Sequence, residues 1–215
     1  MFDYYLFDLD GTLTDPARGI TNSFIHALKF YGIKIPSYEK LCTLIGPPLE
    51  YSFKNNFGFT DENVTDAIKK YREYFSVKGL FENQVYDGIE QMLKELKNRG
   101  KHLLVATSKA EEFSVRIMEH FNLAQYFDFI CGSNMNLTRT SKEEVIAYAL
   151  ERCGNPDKKS VLMFGDRKYD IEGAHLNGIK ACGVLYGYGT REELMKEGAD
   201  FIAEKVSDIL ELQEK

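Results

Sequence analysis

Two aspartates near the start of the chain are the first residues whose types and spacing could support chemistry. Residues 8–12 read Asp-Leu-Asp-Gly-Thr and follow a short apolar run that begins at Tyr4. Because side chains alternate along an extended chain, Asp8 and Asp10 point the same way and concentrate negative charge in one place. Acidic residues also often end strands, and Asp-Gly is a common turn. The pair alone therefore leaves a chemical and a structural interpretation open.

Asp166 and Asp170 add two further carboxylates after a second apolar run, Val161–Phe164. If both strand ends lie at one edge of a sheet, three or four carboxylates converge there and repel one another. A hard divalent cation bound through oxygen atoms removes that conflict, and Mg²⁺ suits a site of few carboxylates that meets phosphate. The spacing does not fit a calcium-binding EF-hand loop. The sequence therefore predicts Mg²⁺ as the cofactor of these carboxylates.

Hydroxyl groups stand at the end of another apolar run. Thr107 and Ser108 close the run that starts at His102, and both can donate hydrogen bonds to phosphate oxygens. Their alternative role is to cap the helix that contains Phe113. One hydroxyl can cap while the other binds, so both residues are candidate phosphate ligands.

Lys142 is the candidate cation for an anionic substrate. It follows Ser141, which together with Glu144 forms the sequence pattern of a capping box at a helix start. The helix dipole disfavours a cation there, and a solvated surface lysine is the simple interpretation. A bound anion reverses the effect, since the helix amides and the ammonium then both attract it. In the presence of the other candidates, we expect Lys142 to bind phosphate.

The elements that must position these residues alternate between strand and helix. Helical spacing of apolar residues begins at Ile89, for example, and stops before Gly100. This alternation predicts an α/β fold with a doubly wound, Rossmann-like parallel sheet, which places ligands at the carboxyl ends of its strands. The predicted strands cover residues 4–8, His102–Thr107, Asp128–Cys131, Val161–Phe164, Ala181–Leu185 and Phe201–Ala203.

Residues 15–84 break this alternation. They carry apolar stripes with helical spacing, which begin at Ile20 and Val64, and no convincing strand. A connection of about 70 residues after the first strand is implausible, because such connections are usually only a few residues long. We therefore predict a small α-helical domain at 15–84, inserted into an α/β core made of 1–14 and 85–215. The linkers that join them could act as hinges.

The composition excludes several classes of protein. The 215 residues are 44% hydrophobic, and the net charge of −6 comes with basic residues that are scattered singly. We expect no nucleic-acid polymer as a partner, since its binders cluster their basic residues. No apolar stretch approaches the ~20 residues that span a bilayer and the start lacks a signal peptide, so we expect no membrane and a cytoplasmic location. The four cysteines form no close pair and are expected to be buried free thiols, while a monomer and a homodimer both stay open.

Together the patterns resemble the haloacid dehalogenase-like superfamily of hydrolases, in its phosphatase branch. Residues 8–13, residues 105–109, Lys142 and residues 165–170 are similar to the four motifs of that family and occur in its order. The inserted helical segment is similar to the family's cap domain. The resemblance implies a Mg²⁺-dependent phosphatase that acts on small-molecule phosphate esters. It looks most like phosphoglycolate phosphatases or 5′-nucleotidases.

The resemblance also implies the chemistry of individual residues. Asp8 would attack phosphorus and become an aspartyl-phosphate, while Asp10 would protonate the leaving alkoxide and then accept a proton from water. Thr107 and Lys142 would bind the transferring phosphoryl group. The haloacid dehalogenases for which the superfamily is named lack the second aspartate, so Asp10 favours phosphate over carbon–halogen chemistry.

The same resemblance implies a set of metal ligands. Mg²⁺ would be held by the carboxylates of Asp8 and Asp166 and by the main-chain carbonyl of Asp10. Asp170 would bond to a metal-bound water or bind directly. The cation and Lys142 would together let an acidic protein accept an anionic substrate.

Substrate choice is expected to lie in the inserted domain. Arg18 could bind a carboxylate or a second phosphate with its planar guanidinium, and the loop at Gly46 could shape the pocket. Two other functions stay open. One is a β-phosphoglucomutase-like phosphomutase, in which a sugar phosphate replaces water as the acceptor. The other is a non-enzymatic phosphoaspartate switch, although a chain with an inserted domain is long for that role.

Overall fold

The chain folds into two compact units, and a computed structural model describes residues 2–136 and 138–212. The core unit runs up to Asp15 and resumes at Val85, whereas the inserted unit covers Pro16–Gln84. The predicted ranges are 1–14 with 85–215 for the core and 15–84 for the insertion. The first boundary of the insertion lies one residue later in the structure than in the prediction, and the second boundary, between residues 84 and 85, is the same in both.

A six-stranded parallel sheet forms the centre of the core unit. Its strands are β1 (Tyr4–Phe7), β4 (His102–Ala110), β5 (Phe129–Ser133), β6 (Val161–Gly165), β7 (Lys180–Val184) and β8 (Phe201–Ala203). Two short strands, β2 (Thr14–Asp15) and β3 (Gln84–Val85), lie outside this sheet. The six-stranded sheet has the order β5-β4-β1-β6-β7-β8, and its neighbouring strands pair in parallel. The predicted doubly wound α/β fold is confirmed.

Helices connect these strands and make up the inserted unit. Those of the inserted unit are α1 (Ala17–Phe30), α2 (Tyr38–Cys42), α3 (Leu49–Phe57) and α4 (Val64–Tyr74). Those of the core unit are α5 (Ile89–Asn98), α6 (Glu111–His120), α7 (Lys142–Arg152), α8 (Lys168–Leu176) and α9 (Arg191–Lys196). Within the described part of the chain, no helix combines the length and the apolar character that crossing a membrane requires.

Strand β1 is the central element of the core unit. Tyr5, Leu6 and Phe7 are buried, as expected for an apolar run in a parallel strand that is covered on both faces. The ring of Phe7 stacks on Phe164 of β6 with centroids 4.8 Å apart. Offset aromatic pairs of this kind add to the free energy of burial. The packing therefore fixes the strand whose end carries Asp8.

The inserted unit has an aromatic core of its own. The predicted apolar stripes of α1 and α4 meet there. The ring centroid of Phe24 lies 5.0 Å from that of Tyr71 and 5.1 Å from that of Phe53 of α3. A short π-helical turn, Phe75–Gly79, follows α4 directly. The buried aromatic rings explain how a unit of this size can fold around its own core.

Two local features differ from the sequence prediction. The sequence analysis does not predict β2 and β3, which lie where the chain enters and leaves the inserted unit and pair in a separate two-stranded sheet. Strands of two residues are too short to show any periodicity in the sequence. All four cysteines are free, but Cys42 and Cys153 are only half-buried, whereas Cys131 and Cys182 are buried as predicted.

The capping box at the start of α7 is confirmed and yields a first prediction. The Ser141 hydroxyl accepts a hydrogen bond from the Glu144 amide at 3.2 Å, and the Glu144 carboxylate accepts one from the Ser141 amide at 3.0 Å. Replacing Ser141 with Ala should lower the free energy of unfolding by about 1 kcal/mol, because one helix amide loses its acceptor. Urea unfolding measures the change. The exposed Ser207→Ala is the control and should change stability by less than about 0.5 kcal/mol.

Candidate active site

The candidate site lies at the point where the strand order of the sheet reverses. Strand β1 has β4 on one side and β6 on the other, and Phe7 is in register with both Val105 and Phe164. The ladder continues one residue further, since the Asp8 amide donates to the Phe164 carbonyl at 2.9 Å. The carboxyl ends of three adjacent strands therefore meet there. Ligands of open α/β sheets bind at such switch points.

Asp8, Asp166 and Asp170 form the acidic cluster of this edge. Each offers a carboxylate oxygen within 4.8 Å of the other two. Asp166 and Asp170 are 1% exposed, and the Asp8 side chain is 13% exposed. Burial, together with repulsion from Asp170 and Asp8, raises the pKa of Asp166 well above its usual value. Burial also raises the pKa of Asp170 to about 6, although Lys142 opposes that rise.

Lys142 is the cation of the acidic cluster rather than a surface lysine. Its ammonium lies 2.9 Å from Asp8 Oδ1 and 2.8 Å from Asp170 Oδ1, and it donates to the Ala106 carbonyl at 3.1 Å. Only 5% of its side chain is exposed. Burial disfavours the ammonium, but attraction to Asp170 and Asp8 outweighs burial and raises the pKa of Lys142. Lys142 therefore stays charged beside Asp8.

Asp10 has a cationic partner to which the sequence analysis assigns no role. The Lys109 ammonium lies 2.8 Å from Asp10 Oδ2, and 7% of the lysine side chain and 17% of the aspartate side chain are exposed. Burial raises the pKa of Asp10, and the positive charge of Lys109 opposes the rise. The available signal was the position of Lys109, two residues after Thr107 on the same predicted strand end.

Thr107 lines the same edge, but it does not cap the next helix. Thr107 is 2% exposed, and its hydroxyl accepts from the Lys109 amide at 3.3 Å. Strand β4 runs on to Ala110, which is itself the N-cap residue of α6 and makes no side-chain cap. The capping interpretation of Thr107 and half-buried Ser108 is therefore wrong. Both residues stay available for the proposed phosphate contact.

The predicted substrate residues lie in the inserted unit. Arg18 is an exposed residue in the first turn of α1. Gly46 is exposed in the loop before α3 and has a φ angle of +103°, which glycine adopts without strain. Their contact with substrate stays a prediction.

The loop 186–189 packs against the acidic cluster, and the sequence analysis assigns it no role. The Tyr188 amide donates to Asp166 Oδ2 at 2.8 Å, and the Tyr188 hydroxyl donates to Asp15. A Cβ at Gly187 would lie 2.4 Å from the Asp166 Cβ and 2.3 Å from the Gly11 carbonyl oxygen. Only glycine permits this close approach. The alternation of tyrosine and glycine after β7 was the available signal.

The donor set fits a divalent cation. Asp8, Asp10, Asp166 and Asp170 carry four negative charges when ionised, and Lys109 and Lys142 carry two positive ones, which leaves two negative charges. One divalent cation would cancel that remainder. Asp166 Oδ1 is buried and has no hydrogen-bond partner among the described residues. Carboxylate oxygens of this kind are the ligands of a hard cation such as Mg²⁺.

Comparison with known proteins identifies the class of this site. Residues 5–184 match the model of the haloacid dehalogenase-like hydrolase family. The chain is 46% identical over 189 residues to a Pseudomonas aeruginosa protein named 5′-nucleotidase, covering 88% of this chain and 85% of that protein. It is 38% identical over 209 residues to the Mycobacterium tuberculosis protein named tyrosine-protein kinase PtkA, covering 97% of this chain and 70% of that protein.

A solved structure agrees with these relatives. The structure of a protein from Clostridium acetobutylicum, described as a predicted phosphatase, matches this chain with a TM-score of 0.93 at 47% identity. The match covers 99% of this chain and 100% of that one. The chain therefore belongs to the haloacid dehalogenase-like hydrolases. It is a phosphoric monoester hydrolase of that family.

The close approach of Gly187 to Asp166 gives a prediction about metal binding. In Gly187→Ala the added methyl group displaces the loop, and the Asp166 carboxylate loses its oriented amide donor. The Mg²⁺ concentration needed for half of the metal-dependent rise in melting temperature should increase by about tenfold or more. Thermal unfolding across a Mg²⁺ titration measures this.

Tyr188→Phe is the control for this experiment. It removes the hydroxyl but keeps the amide that donates to Asp166, so its Mg²⁺ midpoint should equal that of the wild type. An unchanged midpoint in Gly187→Ala would contradict the role assigned to the loop.

Proposed function

We propose that this phosphatase is Mg²⁺-dependent and hydrolyses small-molecule phosphate monoesters through an aspartyl-phosphate on Asp8. The observation that carries the proposal is the buried contact among Asp8, Asp166, Asp170 and Lys142 at the switch point of the sheet. A carboxylate next to a fixed cation and a candidate metal site is suited to attack phosphorus, because charge stabilisation and positioning supply most of the rate of phosphoryl transfer.

The proposed reaction has two steps. In the first, an Asp8 oxygen forms a bond to phosphorus, the bond from phosphorus to the leaving oxygen breaks, and Asp10 gives its proton to that oxygen. In the second, Asp10 takes a proton from water as the water oxygen attacks phosphorus, and the bond to Asp8 breaks. Phosphate leaves and both aspartates return to their initial states.

The remaining residues of the edge bind and orient. Lys142 is held between Asp8 and Asp170, so its ammonium can offset charge on the phosphoryl group without moving. Thr107 and Ser108 are proposed to donate hydrogen bonds to phosphoryl oxygens. The carboxylates of Asp8, Asp166 and Asp170 would hold Mg²⁺, which when bound supplies Lewis-acid stabilisation of phosphoryl charge.

A 5′-nucleotide is the substrate class that we favour over phosphoglycolate. The support is the 46% identity to a protein named 5′-nucleotidase. We propose that the inserted unit acts as the cap that selects the leaving group, with Arg18 and Gly46 among its contacts. This cap follows Asp8 and Asp10 directly in the chain, so a change of cap need not disturb the carboxylates. The cytoplasmic location stays a prediction from the sequence.

Replacing the nucleophile tests the mechanism. Asp8→Asn keeps the shape of the side chain but removes the attacking oxygen charge, so phosphate release should fall by at least about a thousandfold. Chelation of Mg²⁺ should abolish release by the wild type. The assay is phosphate release from p-nitrophenyl phosphate, with thermal unfolding to verify that the variant folds.

Asp3→Asn is the matched control for this experiment. Asp3 immediately precedes β1, as Asp8 immediately follows it, and its side chain is 59% exposed in an ion pair with Lys101. Because exposed ion pairs contribute little, activity should be unchanged. Residual activity of Asp8→Asn near the wild-type value would refute the mechanism.

A substrate screen tests the proposed class. We expect kcat/KM for nucleoside 5′-monophosphates to exceed that for 2-phosphoglycolate by at least about tenfold, since a leaving group that fills the pocket adds transition-state contacts. The reverse order would contradict the nucleotide proposal.

Three further measurements test the other functions. Isomerisation of a sugar phosphate would support a phosphomutase, and transfer of phosphate to a tyrosine hydroxyl would support the activity named for the mycobacterial relative. A stable phosphoaspartate without turnover would support a switch.

A further inference from the structure

Lys109 holds one oxygen of Asp10 and leaves the other to react. We propose that Lys109 is a positioning residue that fixes the Asp10 carboxylate for proton transfer to the leaving group, an inference that rests on the proposed function. Its ammonium lies 2.8 Å from Asp10 Oδ2. Asp10 Oδ1 is buried and has no hydrogen-bond partner within the described ranges 2–136 and 138–212. An aspartate tied through one oxygen presents the other in a fixed direction.

An irregularity in β4 directs Lys109 towards Asp10. Thr107 pairs with Gly132 of β5, and the next pair is Ala110 with Ser133, so Ser108 and Lys109 lie between two consecutive pairs. Such extra residues bend a strand and redirect its side chains, and they are common beside active sites. The strand therefore departs from regular geometry at the residue that contacts Asp10.

Gly132 makes the irregularity possible. A Cβ at Gly132 would lie 2.5 Å from the Lys109 carbonyl oxygen and 2.7 Å from the Glu111 Cα. The Gly132 amide donates to Glu111 Oε2 at 3.1 Å, and the Arg139 side chain donates to the Gly132 carbonyl at 3.0 Å. Arg139 also pairs with Glu111 at 3.3 Å. These contacts hold Gly132 of β5 in place beside the Lys109 carbonyl, where a larger residue would not fit.

A positioning role and simple charge balance predict different effects of the leaving group on the reaction rate. Proton transfer from Asp10 matters when the leaving group is a strongly basic alkoxide and matters little when it is a weakly basic nitrophenolate. The value of kcat/KM covers only the steps up to departure of that group, so the later use of Asp10 as a base does not enter it. Loss of the Lys109 contact should therefore discriminate between substrates.

The test compares Lys109→Met with the wild type on two substrates, adenosine 5′-monophosphate and p-nitrophenyl phosphate. We expect kcat/KM to fall by about a hundredfold or more for the nucleotide, the usual size of a general-acid contribution, and by less than about threefold for the nitrophenyl ester. Lys109→Arg should recover part of the nucleotide activity. In an Asp10→Asn background, Lys109→Met should cause no further fall for the nucleotide, because both changes remove the same step.

Gly132→Ala separates orientation from charge. It displaces the Lys109 backbone but leaves every charge in place, so it should reproduce the selective loss on the nucleotide. It also keeps the proposal testable if Lys109→Met does not fold. Lys94→Met, at an exposed position of α5, is the control and should leave both activities unchanged.

Each result of these assays has a definite meaning. Equal losses on both substrates would overturn the positioning role and leave Lys109 a charge-balancing residue, and unchanged activity on both would remove it from the reaction. If the wild type releases phosphate from neither substrate, the proposed function itself fails, and that result is distinguishable from either outcome for Lys109.

Discussion

Repulsion among buried carboxylates is the constraint on which the rest of the core unit depends. Asp166 and Asp170 are almost fully buried beside Asp8, an arrangement that would cost several kcal/mol if the charges stood alone. Each is compensated locally: Lys142 bridges Asp8 and Asp170, the Tyr188 amide binds Asp166, and the Arg167 amide binds Asp170 at 3.0 Å. The remaining negative charge supports the proposal that a divalent cation binds at this edge. In that proposal, the buried carboxylates lower the stability of the protein and in return provide the metal site.

The parallel sheet explains why residues so distant in sequence meet. Strand β1 ends directly before Asp8 and lies between β6, which ends directly before Asp166, and β4, which has Thr107 among its last four residues. The stacked rings of Phe7 and Phe164 hold β1 against β6 one residue before Asp8 and two residues before Asp166. Functional side chains on packed strands are held more closely than side chains on loops. The core therefore places the strand ends, and the loop 186–189 adds the main-chain amide that binds Asp166.

The sequence predicts the parts of the site that local pattern determines. Apolar runs that end in Asp8, Thr107 and Asp166 indicate strand ends, and parallel topology then brings the three together. The pairing of Lys109 with Asp10 depends instead on an irregularity between β4 and β5, which propensity does not encode. Strand β4 also continues past Thr107 to Ala110, and for that reason the capping interpretation of Thr107 is wrong. The contact of the Tyr188 amide with Asp166 could not be predicted for a further reason. The donor is a main-chain N–H group, which nearly all residue types possess, so the sequence does not mark its position.

The division into two units bears on how one chemistry serves different reactions. Relatives that cover most of this chain carry names as different as 5′-nucleotidase and tyrosine-protein kinase. The acidic cluster and Lys142 are proposed to act on the phosphoryl group, which such reactions share, and in that role they do not by themselves distinguish the leaving group or the acceptor. Asp10 is the residue of this edge whose proposed partners are the leaving oxygen and the attacking water. We therefore propose that selection enters through groups that surround those two oxygens, and the helical insertion is the part of the chain that can change in sequence without altering the carboxylates.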